Sequence, residues 1–166
     1  MSIYSVKDQK VLRLSAKAFD GYASAGTWTM TKASDMWHLL KTAGDNAPVF
    51  EIPISDYLPQ DALYGTTIDK VTIHYNVTVA DITTTGAEFH TIAYNATTNV
   101  PAATTVAATG TLTKTKDATY AIDLTPATTI KVDQDTAVNL EVTLSGAATT
   151  VIKIYGLDIY YTPAGK

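Results

Sequence analysis

There is no cysteine in this chain of 166 residues. Disulfide staples, zinc ribbons and thiol nucleophiles are thereby excluded, so the fold must be held by its core, by partners, or by both. Arginine occurs once, at Arg13, which leaves bidentate readout of phosphate or guanine almost nothing to work with. Charged residues are only 17% of the chain and the formal net charge is −4. A nucleic-acid binder would carry a basic stripe, and none is present. No apolar run approaches the ~20 residues of a membrane-spanning helix. The opening Met1–Lys10 segment has no apolar core and no small-residue cleavage site of the secretory type. The expected partners therefore include neither nucleic acid nor membrane. Catalytic signatures are also missing: no GxSxG, phosphate-binding loop or GxGxxG occurs, and the scattered acids show no glycosidase-like pairing. The chain is read as a non-enzyme without catalytic, cofactor-binding or metal residues.

What is abundant is threonine, with 29 residues, and alanine, with 23. A hydrophobic fraction of 46% suffices for a real core. From Val71 to Val79, Val71, Ile73, Tyr75, Val77 and Val79 alternate with Thr72, His74, Asn76 and Thr78. A period of two sends one set to a buried face and the other to water. β-Branched and aromatic residues suit that half-buried pleat.

The same reading gives strands at Thr27–Thr31, Val49–Ile54, Thr67–Ala80, Ala87–Asn95, Gly110–Lys116, Thr119–Thr125, Thr129–Asp133, Ala137–Ser145 and Thr149–Thr162. Pro53, which cannot donate to a ladder, marks its strand as an edge or turns its N–H side to solvent. Asp35–Leu40 is ambiguous between a short helix and a strand. In Ala87–Asn95 two phases compete: Phe89, Thr91 and Ala93 inward, or Glu88, His90, Ile92 and Tyr94 on one face, which points to a bulge or a strand sandwiched on both sides. The last strand slips phase at Gly156, which predicts a bulge at Tyr155–Gly156. Connections are predicted at Gly21–Gly26, Thr42–Pro48, Asp56–Gly65, Asp81–Gly86 (a hairpin) and Ala96–Thr109, the last a long, uncharged exposed loop. About eight to ten strands at ~10-residue spacing predict an all-β fold, a two-sheet antiparallel sandwich of jelly-roll or immunoglobulin-like kind. Residues 1–20 carry Lys7, Lys10, Arg13 and Lys17 against Asp8 and Asp20. They form an N-terminal arm or a first strand, ahead of a sandwich domain over residues 21–166.

The chemistry-bearing residues are few. His38, His74 and His90 form no HxH or HExxH pair. If the strands bearing His74 and His90 pair, Glu88 and Asp69 complete an imaginable surface metal site, against the simpler reading of two exposed histidines. Asp133-Gln134-Asp135 begins like a calcium loop but lacks its glycine and distal glutamate, and is read as a turn. Asn76-Val77-Thr78 and Asn95-Ala96-Thr97 match the glycosylation pattern. Of the ten tyrosines, Tyr155, Tyr160 and Tyr161 cluster late, and Tyr57 and Tyr64 lie in the central connection. Exposed tyrosine and tryptophan stack on sugars and anchor interfaces, so Trp28, Trp37 and Tyr64 are the residues a glycan would touch.

The Val49–Ile54 strand, the connection to Gly65, the Thr67–Val71 opening of the long strand, and the endings Leu144–Ala148, Lys153–Leu157 and Ile159–Thr162 carry a resemblance. In these cysteine-free, Thr/Ala-rich strands the chain resembles small β-sandwich virion proteins of tailed bacteriophages, either capsid cement (decoration) proteins or fibre and spike modules. The resemblance implies a structural protein located in the virion that stabilises the shell, with the major capsid protein and itself, as a homotrimer, for partners. The alternative is a receptor- or carbohydrate-binding sandwich with a glycan as ligand.

Overall fold

The computed structural model describes residues 8–19, 23–25, 28–41, 49–59, 65–95, 97–98 and 100–164. The Gly21–Gly26 turn in part, the Thr42–Pro48 connection entirely, and Tyr64 lie outside the described residues. Among the described residues, twelve strands form one continuous antiparallel path that folds into two sheets joined at a single short ladder. Sheet A contains β1 (Lys10–Ser15), β3 (Trp28–Ala33), β4 (Met36–Lys41), β6 (Thr66–Thr78), β9 (Ala118–Pro126), β10 (Ile130–Val132) and β12 (Val151–Thr162). Sheet B runs β2 (Ala23–Ala25), β5 (Val49–Pro53), β11 (Thr136–Gly146), β7 (Ile82–Asn95), β8 (Val100–Thr109). A short β8–β9 contact, Ala108 opposite Pro126 and Thr109 opposite Thr125, links the sheets. From β5 onward the chain passes repeatedly from one sheet to the other, as in a jelly roll. A 3₁₀ turn, Ala16–Phe19, follows β1, and a single helical turn, Ile54–Tyr57, follows β5.

Alternation explains the core. Val71, Ile73, Tyr75 and Val77 of β6 and Ile152, Ile154, Leu157 and Ile159 of β12 are fully buried. They belong to one apolar cluster with Val138, Leu140, Val142 and Leu144 of β11 and Phe50, Ile52 and Phe89. Each such side chain contributes about 1.5–3 kcal/mol of transfer free energy. Two polar groups inside it are matched. The Tyr75 hydroxyl donates to the Thr113 carbonyl at 2.8 Å, and burial pushes that phenol up to about 12. Lys41 is fully buried, with Nζ 2.8 Å from the Thr150 carbonyl.

β12 is the organising strand. β6 pairs along one side of it from Val151 to Thr162. Its other side is divided: β4 takes Ile152–Ile154 and β1 takes Gly156–Tyr161. The register against β6 shifts between Ile154 and Gly156, so the bulge expected at Tyr155–Gly156 is present and restores one inward face. Gly156 is required there by close approach. A Cβ built on it would stand 2.3 Å from the Leu14 carbonyl oxygen.

Several local readings are corrected. Asp35–Leu40 is not helical: Ser34 and Asp35 turn at φ of 49° and 66°, and β4 follows. Asp81–Gly86 is no hairpin loop, because β7 begins at Ile82 and pairs with β11 and β8, never with β6. The sequence of Ala96–Thr109 looks like a loop because it is small and uncharged, yet β8 fills most of it, templated by β7. Conversely, residues 111–115 alternate but find no ladder partner, and form no strand among the described residues. Phe89 decides the competing phases of β7 by pointing inward.

Gly156→Ala is expected to cost about 2 kcal/mol or more by forcing β1 off β12. Gly86→Ala, whose added Cβ would meet Thr143 at an ordinary 3.8 Å, should stay within about 0.5 kcal/mol. Urea unfolding of both variants checks this.

Candidate functional site

Where β1 and β4 part company beside β12, the outer surface of sheet A opens into a cleft of about 580 Å³. Its walls are the end of β1 (Leu14, Ser15) and the start of β4 with its turn (Asp35, Met36, Trp37); its floor is Tyr155, Gly156 and Asp158 of β12 with His74 of β6. Gly156 thus positions the site as well as the strand, since without a side chain it leaves the floor open. Tyr155, on the bulge, has the ring of the buried His38 behind it, the centroids 6.0 Å apart. Trp37 is 38% exposed, and the neighbouring Met36 59%. Lys17 of the 3₁₀ turn sets its Nζ 5.3 Å from the centroid of the Trp37 ring, a cation–π contact that steadies the indole.

The polar end of the cleft is an ion-paired triad drawn from three strands. Arg13 donates from Nε to Asp158 Oδ1 at 2.7 Å and from a terminal nitrogen to Oδ2 at 3.2 Å. His74 Nε2 lies 3.1 Å from the same Oδ2. The Asp158 side chain is 5% exposed and the Arg13 side chain 80%. Burial alone would push the Asp158 carboxyl up, but the hydrogen bonds from Arg13 and His74 outweigh it and hold the group below the usual carboxylate range. Arg13 is raised in turn, first by its hydrogen bond to Asp158. Asp158 is enclosed by its partners, whereas Arg13, bonded to it on one side, keeps most of its guanidinium in solvent.

A second polar cluster lies on the same face. Lys70 of β6 donates to Asp123 of β9 at 2.6 Å, Thr72 donates to the other Asp123 oxygen, and Lys70 Nζ sits 4.4 Å from the Tyr160 ring centroid. The Lys70 and Thr72 hydrogen bonds hold Asp123 below its ordinary value.

Another cleft, of about 630 Å³, lies between the end of β7, the helical turn and the Asp133–Thr136 segment. Asp133 serves the turn itself, accepting the Asp135 backbone N–H at 3.0 Å, in the segment read as a turn from the sequence. Tyr94 is the aromatic residue lining it.

The structure separates the histidines. His74 and His90 stand in different sheets, His90 being 3.7 Å from Glu141. The metal site imagined from pairing their strands therefore does not form. Of the aromatic residues singled out, Trp37 and Tyr155 meet at the cleft. Trp28 instead packs edge-on against Phe50 at 5.7 Å between centroids. Tyr160 is on the outer face, Tyr161 is buried at 5% exposure, and the Tyr57 hydroxyl donates to the Ala18 carbonyl. Sequence reading missed the Arg13–Asp158 pair. The available signal was one acid between Leu157 and Ile159, in a strand otherwise read as buried, and one arginine in the whole chain.

No family model matches the chain, and no curated protein matches it. Among solved structures it is similar to the CBM22-1–GH10 modules of Clostridium thermocellum endo-1,4-β-D-xylanase 10B complexed with xylohexaose, at 12% identity and a TM-score of 0.48. That match covers 95% of this chain and 29% of the xylanase chain. It is also similar to the CBM22-1 xylan-binding domain of Paenibacillus barcinonensis Xyn10C, at 13% identity over 97% of this chain and 100% of that one, with a TM-score of 0.38. A third is CBM28, a carbohydrate-binding module specific for non-crystalline cellulose, at 13% identity over 83% and 80% of the two chains, with a TM-score of 0.36.

The sign of the pH dependence follows from Asp158. Its carboxyl titrates lower in the folded chain than in the unfolded one, so its stabilisation is complete above the unfolded value near 4 and is lost as pH falls through the folded value. Asp158→Asn should cost about 1–3 kcal/mol at pH 7, and the gap to the unmodified chain should close on acidification below about pH 4. Thermal melts of both proteins from pH 7 to pH 2 check it.

Proposed function

We propose that the chain is a carbohydrate-binding β-sandwich module that seats a glycan in the cleft between β1 and β4. The observation that carries this is the meeting of two aromatic side chains, Trp37 and Tyr155, with a hydrogen-bonding floor of Arg13, Asp158 and His74 in one open cleft. Sugars present apolar C–H faces and a rim of hydroxyls. Aromatic rings take the first and fixed charged groups the second. Arg13, its side chain 80% exposed and held in place by Asp158, retains free N–H donors.

The same geometry supports binding without catalysis. A general acid near neutral pH needs a carboxyl raised above its ordinary value, and Asp158 is held in the opposite direction. The virion-shell reading rests on the style of the strands, which the sandwich core accounts for by itself. The cleft is the feature that reading does not use, and it favours the glycan reading.

Titration calorimetry with xylo- and cello-oligosaccharides and a wider soluble glycan panel tests the proposal. Trp37→Ala and Tyr155→Ala are each expected to weaken binding by tenfold or more, the scale of losing one stacked ring, with little change in melting temperature. Trp28→Ala should instead lower stability by about 3 kcal/mol through the lost core contact. Binding by no glycan, or binding indifferent to both cleft variants, would overturn the assignment.

A further inference from the structure

β8 has an open side. β7 pairs with it from Val100 to Ala107, but on the opposite side β9 reaches only Ala108 and Thr109. Among the described residues nothing hydrogen-bonds to that side between residues 100 and 106. The Ala107 carbonyl faces away from β7, since it accepts the Ala127 N–H at 2.8 Å. Backbone groups of a strand alternate in direction, so the outward set is Ala107, Thr105, Ala103 and Pro101. The position of Pro101 agrees, because its missing N–H falls on the unpaired side. Free edge donors and acceptors are therefore the N–H and C=O groups of Ala103 and Thr105, with the carbonyl of Pro101.

Exposed strand edges are usually protected by charge, by a bulge or by a covering element. Here residues 100–107 are exposed except Val106, the ladder with β7 is free of register shifts, and no charged residue occurs from Thr97 to Thr113. We propose that this edge pairs with the same edge of a second copy of the chain, antiparallel about a two-fold axis at Thr104. In that register Ala103 of each copy exchanges both backbone hydrogen bonds with Thr105 of the other, giving four bonds. Ala102 meets Val106, and Pro101 meets Ala107, whose carbonyl is already taken by Ala127. The window is bounded at its ends by Pro101, which has no N–H, and Ala107, whose carbonyl is already engaged. The argument for a second copy as occupant is this self-complementarity together with charge. Chains of net charge −4 repel unless they meet at a neutral surface, and this segment supplies one.

Analytical ultracentrifugation of the full chain across a concentration series tests the proposal. The expected result is a reversible monomer–dimer equilibrium. Ala103→Pro removes an outward N–H without touching the β7 ladder, and Thr104→Lys sets like charges opposite each other across the axis. Each should weaken association by roughly tenfold or more, with far-UV circular dichroism unchanged. The lysine variant stands in where the proline variant fails to fold. A chain monomeric at every concentration, a trimer, or a dimer untouched by both variants would overturn it. The monomeric result would leave the edge to a strand from a different protein.

Discussion

The structure depends on one strand serving three partners. β12 gives one whole side to β6, and its other side first to β4 and then to β1. Two strands cannot occupy the same side at the same residue, so they must separate where the assignment changes. The Tyr155–Gly156 bulge is that place. It turns the following residues by one position, which keeps Leu157 and Ile159 inward and sets Asp158 outward. The close approach of the Leu14 carbonyl to Gly156 then brings Arg13 within reach of Asp158. The gap between β1 and β4 becomes the cleft. Site and fold share a single cause.

Burial of Asp158 creates a need that sequence-distant residues meet. A carboxylate with 5% of its side chain exposed would be costly alone. Arg13 and His74 arrive from neighbouring strands on either side of β12 and satisfy it. The triad thus ties β1 to the sheet through more than its ladder, as the Asp123–Lys70–Thr72 cluster ties β9 to β6. The charges paired on this sheet face do structural work.

The two-layer β architecture was legible because alternation is local: Val71 to Val77 declare their faces within seven residues. The bulge at Gly156 was legible for the same reason, as a break in that alternation. What was illegible is pairing. β8 reads as loop because its alanines and threonines carry little propensity, and only β7 beside it makes it a strand. Residues 111–115 read as strand because they alternate, yet they accept only isolated hydrogen bonds and form no ladder. The strands of His74 and His90 are nearly adjacent in sequence and belong to opposite sheets. The site failed in the same way: its aromatic residues were on the page, but Arg13 and Asp158 stand 145 positions apart, and only topology joins them.

The placement of the two surfaces has a consequence for binding. The cleft lies on the outer face of sheet A, whereas the open edge belongs to β8 of sheet B. An edge-to-edge pair of chains leaves both clefts uncovered. Polysaccharides repeat their epitope, so two clefts on one rigid body gain effective concentration for the second contact without any new protein–ligand interaction. Rigidity matters to that gain. Tyr155 is fixed on a central strand with His38 behind it, and Trp37 is braced by Lys17. Should the proposed glycan seat there, little side-chain entropy would be lost on binding, and a modest hydrogen-bonding floor would suffice. Strand pairing in one sheet would then serve stacking in the other.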